Sequence, residues 1–313
     1  MKHLYKFIAL VFIFMIGIAF FSKSIPSISV STTTASSIQD STFPMVYLQV
    51  GESLINPLHG YSSELNSSTV RESITPLDTG KTFAVNIAEN DSKIKKLSYE
   101  LRDIANNKSI ETGDITAFDK NKKYKVATVH LKEAMDTSTE YGFCMTLITN
   151  YSKKIHFYTR IKYYDNDFFL SKKLDFVAKF HAATFDQGKS LDLSQYLESG
   201  TNDDSSYESV DIHSSRKLIT WGKLKPKKLT DVVPTVKELN IETAAISQTY
   251  FVSATTASGS ETYQVKEFYR VRYSGGRIYL LYFKRTMEAI FDPSLISINK
   301  SEVKIGISSA EDL

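Results

Sequence analysis

Between Arg216 and Lys228 the chain carries six basic side chains, Arg216, Lys217, Lys223, Lys225, Lys227 and Lys228, around its single tryptophan, Trp221. A run of this kind can meet an anionic surface such as a wall polymer, a lipid headgroup layer or an acidic protein face. Its plainer meaning is a solvated loop that leads into a buried tryptophan. A second strip, Tyr269-Arg270-Val271-Arg272-Tyr273, interleaves cations with rings, and arginine and aromatic residues dominate interface hot spots. The candidate interaction surface is therefore Trp221, Lys223, Lys225, Lys227, Lys228, Tyr269, Arg270, Arg272 and Tyr273. It holds only if the arginine face is exposed; covered by the rest of the domain, the arginines become paired structural groups.

Other chemistry is sparse. A nucleophile elbow, a P-loop, a dinucleotide fingerprint and an H-E-x-x-H helix are all missing from the sequence. The six histidines, His3, His59, His130, His156, His181 and His213, show no metal-pair spacing. His59 stands in a glycine- and tyrosine-containing loop, and His130 and His156 fall in strand-like runs. Asp165-Asn166-Asp167 opens like a calcium loop but has no following Asp/Asn-Gly and no distal glutamate. Cys144 sits in the apolar run YGFCMTLIT, which reads as a packed, inert thiol. No catalytic residue, cofactor site or metal site is expected on these grounds.

The elements that must hold these residues begin with Phe7–Phe21, FIALVFIFMIGIAFF, an apolar run behind Lys2 and Lys6. A spanning helix needs about 20 apolar residues, and the run with Leu4 and Tyr5 reaches the lower edge of that requirement. No Ala-x-Ala site follows it, so it reads as an uncleaved signal anchor rather than a removed leader. Denser positive charge before the run keeps residues 1–6 inside. Residues 22–42 are rich in serine and threonine and bury too little apolar surface to order themselves, which predicts a stalk. Everything beyond is expected outside the cytoplasm, in a cell membrane protein that spans once. A net charge of +3 over 313 residues excludes nucleic-acid binding by bulk electrostatics. One cysteine excludes an internal disulfide framework.

Eighteen tyrosines and nineteen phenylalanines favour sheet. Strands are predicted at Met45–Val50, Thr82–Ala88, Leu97–Asp103, Tyr124–Leu131, Tyr141–Thr149 and Ile155–Tyr164, with one helical turn near Thr69–Ser73. In LSYELRD, Leu97, Tyr99 and Leu101 share one face opposite Ser98, Glu100 and Arg102. Closely spaced strands with turns between them predict a β-sandwich of immunoglobulin-like size over 43–165. A second β-rich domain with short helices is predicted over 166–293, including helices at Leu174–Ala182 and Leu191–Glu198. Its clearest element is a hairpin through Gly275-Gly276. The expected register pairs Tyr273 with Ile278, Val271 with Leu280 and Tyr269 with Tyr282. A helical turn is predicted at Arg285–Phe291, stopped by Asp292-Pro293. Residues 294–313 read as a tail, an edge strand or the start of a further domain.

The phrases HGYSSEL, FYTRIKYY, HSSRKLITWGKL and EFYRVRYSGGRIYLLYFKRTMEAIFDP resemble those of membrane-anchored extracytoplasmic proteins of clostridial bacteria. The resemblance implies an envelope setting and relatives that can be longer, and it carries no activity or ligand. The function expected from all of this is non-catalytic binding or regulation at the bacterial cell envelope. Its expected partner is another membrane or envelope protein, or an anionic wall polymer. The alternative is a carbohydrate-active envelope enzyme or glycan-binding module, which a groove lined by Trp221 and tyrosines would favour.

Overall fold

The computed structural model describes residues 43–290 apart from 67–68, 122, 167, 199–205 and 257–258, together with Tyr5, Lys6, Val11, Phe14 and Met15. The apolar run Phe7–Phe21, save Val11, Phe14 and Met15, lies outside the described residues, as do 22–42 and 294–313. Among the described residues no helix is long and apolar enough to cross a membrane.

The fold is mainly β. The chain first forms β1 (Met45–Val50), β2 (Ser53–Leu58), β3 (Ile74–Leu77), β4 (Thr82–Ala88) and β5 (Ile94–Asp103). It continues with β6 (Ser109–Ile115), β7 (Asp119–Lys120), β8 (Lys125–His130), β9 (Glu140–Thr149) and β10 (Lys154–Tyr163). These make two five-stranded sheets, ordered β2-β1-β4-β8-β7 and β3-β10-β9-β5-β6. The sheets meet through side chains such as Phe83 and Phe143, whose rings pack edge to face 5.4 Å apart. Alternation dictates the inward set: Leu97 and Leu101 of β5 are buried, and Ser98 and Glu100 point the other way.

Next come helix α1 (Leu170–Phe185), a 3₁₀ turn at Leu193–Tyr196, β11 (Ser209–Asp211), the short helix α2 (Arg216–Ile219) and β12 (Lys227–Lys228). Strands β13 (Thr235–Leu239), β14 (Thr243–Thr256), β15 (Gly259–Ser274) and β16 (Arg277–Ala289) complete a third sheet. Its order is β11-β16-β15-β14-β12, with β13 also paired to β14. Helix α1 covers the inner face, where Phe180 packs on Tyr269 and Phe283 at 5.7 and 5.1 Å between ring centroids.

Several expectations need correction. No helix forms at Thr69–Ser73, and the helix expected over Leu191–Glu198 shrinks to the 3₁₀ turn. The helical turn expected at Arg285–Phe291 is strand as far as Ala289, because Arg285 and Met287 continue the buried alternation of β16 against β15. The hairpin pairs Tyr273 with Ile278 and Val271 with Leu280, but a register shift follows. Leu281 is the extra residue of a bulge, so Tyr269 faces Phe283, and Tyr282 turns to the outer face opposite Arg270.

Long polar contacts join the first two sheets to the third. Asn56, fully buried with φ 51°, donates its amide to Ile74 O and accepts from Val236 N at 2.8 Å each. Arg160 donates to Glu140 and to Lys237 O. The Tyr164 hydroxyl donates to Leu239 O. On the third-sheet side, the buried Lys173 ammonium of α1 donates to Phe168 O, Asn240 O and Ile241 O at 2.8 Å each. One hydrophobic cluster runs from Val46 to Met287.

Candidate functional site

The pairing of β14, β15 and β16 sets Gln248, Glu267 and Arg285 in one row across the third sheet. Their neighbours on the same face are apolar or aromatic: Ile246, Tyr250, Val265, Tyr269, Phe283 and Met287 are all buried. A polar row in such surroundings must be satisfied from the layer above. Helix α1 supplies His181, whose Nδ1 lies 2.8 Å from Glu267 Oε2. The Tyr269 hydroxyl donates to the same oxygen at 2.7 Å, and the Tyr250 hydroxyl donates to Oε1 at 2.8 Å. Burial pushes the Glu267 carboxyl up, but the His181 charge and hydrogen bond, with Arg285 and Tyr269, hold it below the usual glutamate range. The Glu267 carboxylate accepts from His181 Nδ1–H, and the other ring nitrogen, Nε2, faces Lys228. Nε2 lies 3.5 Å from Lys228 Nζ.

Arg285 is buried beside this carboxylate. It donates to Ile219 O at 2.8 Å and Leu218 O at 2.9 Å, the open end of α2. Its guanidinium carbon lies 3.3 Å from the centroid of the Trp221 ring. Trp221 is held there by a left-handed backbone, φ 66°, followed by Gly222 at φ 48°, a conformation that costs a bulky residue about 1–3 kcal/mol. Burial pushes the Arg285 guanidinium below its usual value, and the charges of Tyr250 and Glu267 oppose that shift.

Beside the row opens a groove of about 460 Å³, lined by Ala178, His181, Ala182, Lys228, Leu229, Thr230, Asp231, Val232 and Gln248. Asp231 is occupied by Lys123 at 2.6 Å. The Gln248 side-chain oxygen is buried and has no hydrogen-bond partner. A larger groove of about 610 Å³ lies on the second sheet and includes Tyr99, Glu100, Cys144 and His156. His156 is bound to Thr146 at 3.0 Å there, and burial pushes the Cys144 thiol up to about 11. Among the described residues no three His, Cys, Asp or Glu side chains converge as a metal site.

The predicted surface divides. Trp221 and Tyr269 are core residues and cannot contact a partner from their places under Arg285 and beside Glu267. Tyr273 is half-buried, and its hydroxyl accepts from Lys172 Nζ at 2.8 Å. Lys223, Lys225, Lys227 and Lys228 are exposed, as are Arg270 and Arg272. The outer face of the β15–β16 hairpin adds Tyr279 and Leu281, which the hairpin pattern puts beside Arg270 and Arg272, and Tyr282, which it does not, at 39%, 43% and 41% exposure. Arg272 lies 5.0 Å from the Tyr279 ring, and Phe268 packs on Tyr282 at 6.0 Å. Arg270 pairs with Glu238 at 3.4 Å and Lys266 with Glu288 at 3.6 Å. Arg272, Arg277 and Lys284 have no carboxylate partner among the described residues, so the face is cationic with an apolar centre.

Comparison with known proteins adds no constraint: the sequence matches no family model and has no significant match among curated proteins.

Proposed function

We propose that this chain is a membrane-anchored, extracytoplasmic binding or regulatory protein of a bacterial cell envelope. In this reading Phe7–Phe21 is the anchor, 22–42 the stalk, 43–165 an immunoglobulin-sized sandwich and 166–293 the domain that carries the contact face. The observation that supports a binding role is the outer face of β15 and β16, where Arg272, Tyr279, Leu281 and Tyr282 stand together in solvent. Exposed apolar groups among unpaired arginines favour a protein partner with an acidic surface that also buries the rings. A polyanion alone would use the cations and leave Leu281 and Tyr282 wet.

The test places a photo-crosslinking residue at Leu281 in the full anchored chain, in cells. One defined membrane protein, crosslinked through an acidic segment and lost on Arg272→Glu, supports the reading. Labelling no greater than that from the same residue at Tyr151, which is 84% exposed in the turn between β9 and β10, sinks it, as does recovery of wall polymer alone.

A further inference from the structure

We propose that the groove between α1 and the segment Lys228–Val232 binds a small carboxylate that carries hydroxyl groups, of the sugar-acid class, through Lys228 and Gln248, with His181 in its wall. This inference stands apart from the hairpin face. The volume, about 460 Å³, falls in the range of small-molecule sites. Three polar groups converge on it from separate elements: His181 from α1, Lys228 from β12 and Gln248 from β14.

Lys228 and Gln248 have unspent capacity, while both ring nitrogens of His181 are engaged, by Glu267 and by Lys228. Lys228 Nζ has only a 3.5 Å contact to His181 Nε2, at the outer limit of a hydrogen bond, and lies 4.9 Å from the Phe185 ring. A carboxylate there would give the ammonium a charge-assisted partner. The Gln248 residue is only 4% exposed, yet its amide oxygen has no partner, and leaving such a group unmade is costly. Its amide can turn over, so the group that meets it must serve either end. A hydroxyl both donates and accepts. A ligand ammonium would also satisfy the oxygen, but Lys228 repels it. The carboxylates nearby do not compete: Asp231 is held by Lys123, and Glu267 is enclosed by His181, Tyr250 and Tyr269. The methyl and methylene groups of Ala178, Ala182, Leu229 and Val232 complete the walls.

The test is titration calorimetry of the full chain in nanodiscs with glucuronate, beside glucose and acetate. Saturable binding of glucuronate, with glucose and acetate each at least about tenfold weaker, is expected, since each lacks one of the two recognised groups. Lys228→Ala and Gln248→Leu should each weaken glucuronate by about tenfold or more. Gln248→Leu removes a buried unpartnered oxygen, so its thermal midpoint should hold or rise while binding falls. Absence of saturable glucuronate binding overturns the proposal. So does equal binding of glucose or acetate, or wild-type affinity in the two variants.

Discussion

Glu267 occupies a core-facing position of β15, between Val265 and Tyr269, where strand alternation calls for an apolar side chain. That alternation was legible in VKEFYRV, and a carboxylate in the apolar register was the signal that could have marked the buried row. Its partners were not legible, because His181, Tyr250 and Arg285 reach it from three other elements. The row yields two predictions. A carboxyl whose folded value lies below its unfolded one stabilises the fold above the unfolded value, near 4.5. That contribution is lost as pH falls through the folded value. Urea unfolding at pH 5 and pH 3 should show the wild type losing more stability than Glu267→Gln/His181→Gln, in which neither group titrates. The second concerns Arg285→Met, which removes the buried guanidinium beside Glu267 and frees Leu218 O and Ile219 O. It should cost about 3–5 kcal/mol. Glu267→Gln/Arg285→Met should cost less than the sum of its two single changes, as a double-mutant cycle would read.

The hairpin shows how an element can be read correctly at one end and wrongly at the other. Gly275 and Gly276 carry φ 57° and 81°, the values a two-residue turn between right-twisted strands requires, and the first two pairs follow from it. Beyond Leu280 the bulge shifts the register, and turn chemistry holds no information about a bulge five residues away. The helix expected at Arg285–Phe291 failed for a related reason: a buried arginine disguises the strand period that Phe283 and Met287 continue. A side chain added at Gly276 meets no atom within 4 Å, so substitution there tests backbone conformation alone. Gly276→Val should cost about 1–2 kcal/mol in urea unfolding. Gly276→Asn should cost clearly less, since asparagine tolerates the left-handed region.

The whole molecule depends on contacts that no local pattern announces. Asn56 and Val236 are 180 residues apart, and the Arg160 and Tyr164 side chains also bind main-chain carbonyls of the β13–β14 segment. Periodicity distinguishes strands from loops but is silent about such pairings, so the sequence-level division near residue 165 said nothing of how firmly its sides are joined. Separating the sides would exchange these bonds for water, at about 0.5–1.5 kcal/mol net each, and wet the apolar residues of the shared cluster, which predicts that they unfold together. Two native probes lie on opposite sides of the junction. Trp221, packed on Arg285, reports on the third sheet through its fluorescence. Cys144, buried in β9, reports on the second through its reaction with a thiol reagent, because burial holds back its thiolate. In increasing urea the two midpoints should coincide. Asn56→Ala should lower both together, because it removes bonds to Ile74 O, Val236 N and Thr75 Oγ1 at once. If Cys144 became reactive while Trp221 still reported a native core, the polar junction would not couple the sheets, and the long-range contacts would be local in effect.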